Sequence, residues 1–123
     1  MKFYICEHCG NIITHAKNSG VPVFCCGQKM KEIIPGTVEA SVEKHLPVVT
    51  VEGNLVTAVV GSVEHPMVEE HFIQWIYVET ENGGMRKALK PETAPHAEFC
   101  LGGEKPVAVY EYCNLHGLWM TEV

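Results

Sequence analysis

A chain of 123 residues has room for one ordinary domain, or for one small domain beside a minimal one. Its composition, 46% hydrophobic and 20% charged, is that of a folded globular protein and excludes disorder and collagen-like repetition. The formal charge of −6, with no cluster of Lys or Arg, argues against a nucleic-acid partner, because phosphate binding needs a basic face.

The amino terminus, MKFYICEHCG, lacks the apolar run and small-residue cleavage site of a signal peptide, and no stretch approaches the roughly 18 apolar residues of a membrane span. A cytoplasmic protein without a membrane partner is expected. Thiols stay reduced in that compartment, so the six cysteines point to metal ligation before disulfides.

CEHCG, with Cys6 and Cys9, is a C-x-x-C knuckle in which two sulfurs converge while Gly10 lets the backbone turn close to a metal. Cys25 and Cys26 are adjacent. Their Cα atoms are then about 3.8 Å apart, below the roughly 4.4 Å minimum of an ordinary disulfide, so two thiolates on one ion is the easier arrangement. Four sulfurs suit tetrahedral zinc or iron alike, and a purely structural zinc staple would already explain how so few residues fold. His8 and His15 are left without a role.

Cys6, Cys9, Cys25 and Cys26 precede residue 27, whereas Val, Ile and Thr dominate from residue 37 onward. Between these regimes KMKEIIPGTVEAS holds the turn signal Pro35-Gly36, which predicts a boundary there: a metal-stapled unit over residues 1–36 and a second domain over residues 37–123.

The second region reads as strands. LPVVTVEGNLVTAVVGSV has two β-branched runs about Glu52-Gly53-Asn54, a hairpin signal. HFIQWIYVETENGGMRKALK predicts a strand, a turn at Gly83-Gly84 and a return. KPVAVYEYCNLHG alternates, with Val107, Val109 and Glu111 on one face and Ala108, Tyr110 and Tyr112 on the other. No segment keeps a helical period for three turns. The predicted fold is therefore mainly β, a small metal-stapled domain followed by an antiparallel, immunoglobulin-like β-sandwich.

His45, His65, His71, His96 and His116 all fall in this region, next to turns or strand ends, together with Cys113. Imidazole suits iron, copper or zinc, and one thiolate favours a redox metal over structural zinc. Cys113, His116 and Met120 with His45 upstream also fit the two-histidine, one-cysteine pattern of blue copper, but that leaves His65, His71 and the four-cysteine group without a purpose.

The motifs CEHC, CC, EKHLP, HPMVEEHFI and CNLHG, in this order across nearly the whole chain, resemble the desulfoferrodoxin type of superoxide reductase. The resemblance implies a desulforedoxin-like domain in which Cys6, Cys9, Cys25 and Cys26 hold a first iron. It implies a second iron with His45, His65, His71 and His116 as equatorial ligands and Cys113 as axial ligand. The implied activity is one-electron reduction of superoxide to hydrogen peroxide at an open sixth position, fed by a donor such as rubredoxin, in a homodimer. Within EKHLP, Lys44 would attract superoxide and aid proton delivery, and Glu43 would approach the ferric iron after peroxide leaves. Both can serve the iron beside His45 only if this segment is a flexible loop or turn, since a strand would point Lys44 away from its neighbours. His96 and Cys100 match no motif.

Overall fold

Short strands make up nearly all the regular structure: in the computed structural model, which describes residues 1–123, twelve β-strands accompany one four-residue helix. The chain divides into two units, Met1–Ile34 and Pro35–Val123.

In the first unit, β1 (Phe3–Ile5) pairs antiparallel with β2 (Ile12–Ile13) and with β5 (Lys31–Ile33), and β3 (Phe24–Cys25) forms a separate hairpin with β4 (Gln28–Lys29). Phe3, Cys6 and Met30 are its buried apolar side chains, too few to hold such short strands by burial alone. The turns carry the cysteines. After β1 the Gly10 N–H bonds the Cys6 carbonyl at 2.8 Å with Gly10 at φ +83°, and after β3 Cys26 itself takes the left-handed region at φ +54°.

The second unit opens with α1 (Val42–His45), then β6 (Pro47–Glu52), β7 (Leu55–Val60), β8 (Ile73–Thr80), β9 (Gly83–Ala88), β10 (His96–Cys100), β11 (Pro106–Cys113) and β12 (Gly117–Glu122). These strands form two antiparallel sheets of order β10-β7-β6 and β12-β11-β8-β9. Alternate residues of β7 and β10, among them Val56, Ala58, Val60, Ala97 and Phe99, are buried in one cluster with Ile76 and Val78 of β8 and Val109 of β11. That is the layered antiparallel β architecture the alternation predicts.

The β6–β7 hairpin turns at Gly53-Asn54 between the paired Glu52 and Leu55, with Gly53 at φ +60°. The next hairpin differs from expectation. Its turn falls at Glu81-Asn82, because Thr80 already pairs with Gly83, and Gly83-Gly84 begin β9 instead of turning. A Cβ on Gly84 would collide with the Tyr77 phenol, so this glycine serves ring clearance within a strand. Within EKHLP, Glu43, Lys44 and His45 lie on a single helical turn, closed by the Leu46 N–H on the Val42 carbonyl at 2.9 Å, and Pro47 begins β6.

Candidate metal centres

Two groups of metal-ligating side chains are assembled, Cys6, Cys9, Cys25 and Cys26 in one and His45, His65, His71, Cys113 and His116 in the other, the donor atoms of each lying within 4.8 Å of one another.

In the first, all four cysteines are free thiols. Cys9 Sγ lies 3.6 Å from Cys25 Sγ, which lies 3.9 Å from Cys26 Sγ. Metal–sulfur bonds of about 2.3 Å set tetrahedral sulfurs about 3.8 Å apart, so the cradle has the right size for one ion. The backbone N–H of Cys9 points at Cys6 Sγ, 3.5 Å away, and holds that thiol down to about 6. Cys26, hydrogen-bonded to Cys9 and to the other thiols, is pushed up to about 12. One thiolate forms readily here and a fourth only with a cation to share it.

The second group sits at one end of the sandwich. His45 ends α1 just before β6, and His65 and His71 lie in the connection from β7 to β8. Cys113 ends β11 and His116 occupies the turn into β12. A β-bulge helps to place the thiol: Tyr112 pairs with Trp75 but Cys113 pairs with Ile73, so one extra residue on β8, Gln74, shifts the register beside the site. Cys113 and His65 are buried, as is His45, while His71 and His116 are partly exposed.

Ring orientations follow from hydrogen bonds. His45 Nδ1 donates to the Ser41 carbonyl at 2.7 Å and His65 Nδ1 to the Pro66 carbonyl at 2.6 Å. A carbonyl only accepts, so both protons sit on Nδ1 and both Nε2 atoms carry lone pairs. Those Nε2 atoms face each other at 3.2 Å, and His116 Nδ1 lies 3.1 Å from His45 Nε2. Metal–nitrogen bonds of about 2.1 Å at right angles set neighbouring nitrogens about 3.0 Å apart. Each ring stands edge-on to the next around a closed cycle, His45 to His65, His65 to His71, His71 to His116 and His116 to His45, with centroids 4.6 to 5.0 Å apart. His71 Nε2 is buried without a partner, and Cys113 Sγ lies 3.9 Å from His116 Nδ1. Facing lone pairs and an orphaned nitrogen are what a cation at the centre would resolve.

Burial pushes the His65 imidazole down to about 4 and lowers His45 and His71, so these rings are neutral donors at pH 7. The charge of Lys44 contributes to the lowering of both His45 and His71. Burial raises the Cys113 thiol, against the pull of the Leu115 and His116 N–H groups. Four imidazole nitrogens and one cysteine sulfur form a donor set suited to a redox iron.

Glu43 and Lys44 are exposed on α1, and the Glu43 carboxylate is not a member of the donor group. Met120, which blue copper would require, pairs with Tyr110 across β11 and so points away from the face that carries Glu111 and Cys113. His8, His96 and Cys100 are exposed and belong to neither group, and His15 lies against Tyr4 with ring centroids 5.2 Å apart.

Two supporting residues carry no signal of their own in the motifs. Trp119 stacks on His45 with centroids 5.1 Å apart and donates its indole N–H to the His116 carbonyl at 3.0 Å. Glu111 is fully buried between Ile76 and Trp119, neither of its oxygens has a hydrogen-bond partner, and burial pushes its carboxyl up to about 9. The strand alternation that sets Glu111 on the face of Val109 was the available sign of that burial.

Comparison with known proteins agrees with this geometry. The family profile described as Desulfoferrodoxin matches residues 37–122. Desulfoferrodoxin of Nitratidesulfovibrio vulgaris is 46% identical over 121 residues, 98% of this chain and 95% of that one. A protein of Pyrococcus abyssi named superoxide reductase is 38% identical over 99 residues, spanning 66% of this chain and 86% of its own. The crystal structure of the superoxide reductase from Treponema pallidum superposes with a TM-score of 0.82 at 35% identity, covering 99% of this chain and 100% of that one. The two donor groups match in constitution the four-cysteine iron centre and the four-histidine, one-cysteine iron centre of one family. By profile, by full-length identity and by the constitution of both centres, the chain belongs to the desulfoferrodoxin family.

Proposed function

We propose that the protein is a superoxide reductase. In this reading Cys6, Cys9, Cys25 and Cys26 would hold the first iron, and His45, His65, His71, His116 and Cys113 would hold the second. The observation that carries it is the closed cycle of four imidazoles beside one buried cysteine, in a chain whose relatives include proteins named superoxide reductase.

The reaction takes one superoxide, one electron and two protons to one hydrogen peroxide and releases no dioxygen. Iron bound by the histidines and Cys113 would supply the one-electron redox chemistry, with an external donor restoring the electron. The chain's own groups do the rest. His45 and His65, fixed by the Ser41 and Pro66 carbonyls, keep their lone pairs turned inward without a proton change during turnover. Cys113, as thiolate, would donate charge to iron bound there, which favours loss of an electron toward the anion. Lys44, exposed on α1 within electrostatic reach of His45 and His71, attracts the anion and passes protons to the departing peroxide directly or through water. Glu43, next to it in the chain, would supply a carboxylate as a further ligand to iron bound there. A small rubredoxin-like protein is the proposed donor, and the cytoplasm the proposed compartment. Residues 1–36 and 37–123 are the proposed domains, in a homodimer.

Metal analysis together with a peroxide assay under reductant tests the proposal. Two irons per chain and one peroxide per superoxide consumed are expected, and copper, or zinc alone, would sink it. Lys44→Ala should slow the second-order reaction and flatten its dependence on ionic strength. An unchanged rate and an unchanged salt dependence would remove Lys44 from the mechanism.

A further inference from the structure

His71 is the donor with the least visible support. The His45 and His65 rings are each anchored by Nδ1–H on a carbonyl, and the His116 carbonyl is tied to the Trp119 indole. No carbonyl or carboxylate holds the His71 ring, and its Nε2 has no protein partner at all. Apart from edge-on packing against His65 and His116, the placement of that nitrogen rests on the backbone that carries it.

That backbone is bonded throughout by two residues. Val68 exchanges both hydrogen bonds with His71, N–H to carbonyl in each direction at 3.0 Å. Asn114 takes the residues on either side. Its Oδ1 accepts from the Phe72 N–H at 3.0 Å, its Nδ2 donates to the Glu70 carbonyl at 3.0 Å, and its own backbone N–H donates to the Phe72 carbonyl at 3.2 Å. A single primary amide thus brackets residue 71 with both of its functions, acceptor on one side and donor on the other, while its main chain adds a third bond. Asn114 also follows Cys113 directly and stands two residues before His116. The clasp therefore locks the segment bearing His71 to the segment bearing two other donors.

We propose that Asn114 is the positioning residue of His71: its side-chain amide fixes the 70–72 backbone and so holds the one imidazole that has no hydrogen bond of its own at the centre. The inference rests on the proposal that His71 is a ligand of the second iron. No other side chain of Asn114's size carries both a donor and an acceptor in one rigid plane, so isosteric replacement divides the function. Asn114→Asp keeps the acceptor for Phe72 and loses the donor to Glu70, whereas Asn114→Ala loses both.

The test is chelator competition on the full-length iron-loaded protein, reading iron retained per chain, for Asn114→Ala, Asn114→Asp, His71→Ala and the Asn114→Ala/His71→Ala double variant. The first iron serves as the internal reference. Outer residues that orient metal ligands typically change affinity about 10- to 100-fold. Asn114→Ala should weaken the second iron to that extent, Asn114→Asp should fall between it and the parent, and amide exchange across residues 70–73 should speed up in the same order. In the His71→Ala background, Asn114→Ala should add little, because its target is already gone. If Asn114→Ala does not fold, the Asp variant and its exchange pattern carry the comparison alone. Loss of iron in His71→Ala with parental retention in both Asn114 variants would overturn the inference and leave the ligand set standing. An equal additional loss in both backgrounds would overturn it too, since Asn114 would then be a general structural residue. Parental iron retention in His71→Ala would refute the ligand assignment itself.

Discussion

Glu111 is a carboxyl group without a hydrogen-bond partner, at full burial on the core face of β11. Its folded pKa is raised from an ordinary 4.5 to about 9 by desolvation. The native chain therefore keeps a proton that the unfolded chain gives up over that range, and stability contributed by this group is full below the unfolded value and lost as pH rises toward the folded one. Glu111→Gln, nearly the same shape and never charged, should be the more stable protein at neutral pH, with an advantage that grows from pH 5 to pH 9. Urea midpoints of the two proteins across that window check it, and parallel curves would show that the carboxyl titrates as if in water. The same residue shows how far a sequence reads at this scale. Donor types are legible because few side chains can bind iron, and Cys6, Cys9, His45 and Cys113 could be named from their chemistry. What turns those donors inward was not, because the partners are the carbonyls of Ser41 and Pro66, and every residue has a carbonyl.

At the scale of elements, the position of α1 depends on a gap. A Cβ built on Gly61, at the end of β7, would lie 2.6 Å from the Glu43 carbonyl oxygen and 2.9 Å from the Lys44 carbonyl carbon. The helical turn that ends in His45 packs against bare backbone. Gly61→Ala should therefore push α1 outward, with a cost of about 1–3 kcal/mol for overpacking, and leave the second iron under-loaded while the first stays full. Iron per chain and the thermal midpoint report both effects, and two irons with an unshifted midpoint would mean that α1 moves freely. Strands were readable because alternation is a local property of each one. The bulge at Gln74 and the true turn at Glu81-Asn82 were not, because each is settled between strands: the first by where β11 meets β8, the second by the Tyr77 ring over Gly84.

For the whole molecule, the two units pose separate folding problems. Residues Met1–Ile34 offer few buried apolar side chains, so their metal is their main staple, whereas the second unit has a continuous apolar cluster. Cys9→Ser should lower the iron content from two toward one per chain, raise amide exchange over residues 1–34, and leave peroxide production intact with an artificial donor. Disappearance of activity while the second iron remained bound would make the first centre an obligatory station for electrons.

The order of donors along the chain has a consequence for biosynthesis. The first centre is complete in sequence at Cys26, whereas the second needs His45 and His116 together. A nascent chain can close the cysteine cradle soon after its first residues clear the ribosome. The histidine cycle waits until His116, past the end of β11, has been made and brought beside the α1 turn. Assembly thus runs from front to back, and a chain interrupted before residue 116 would carry the first donor group complete and the second one incomplete.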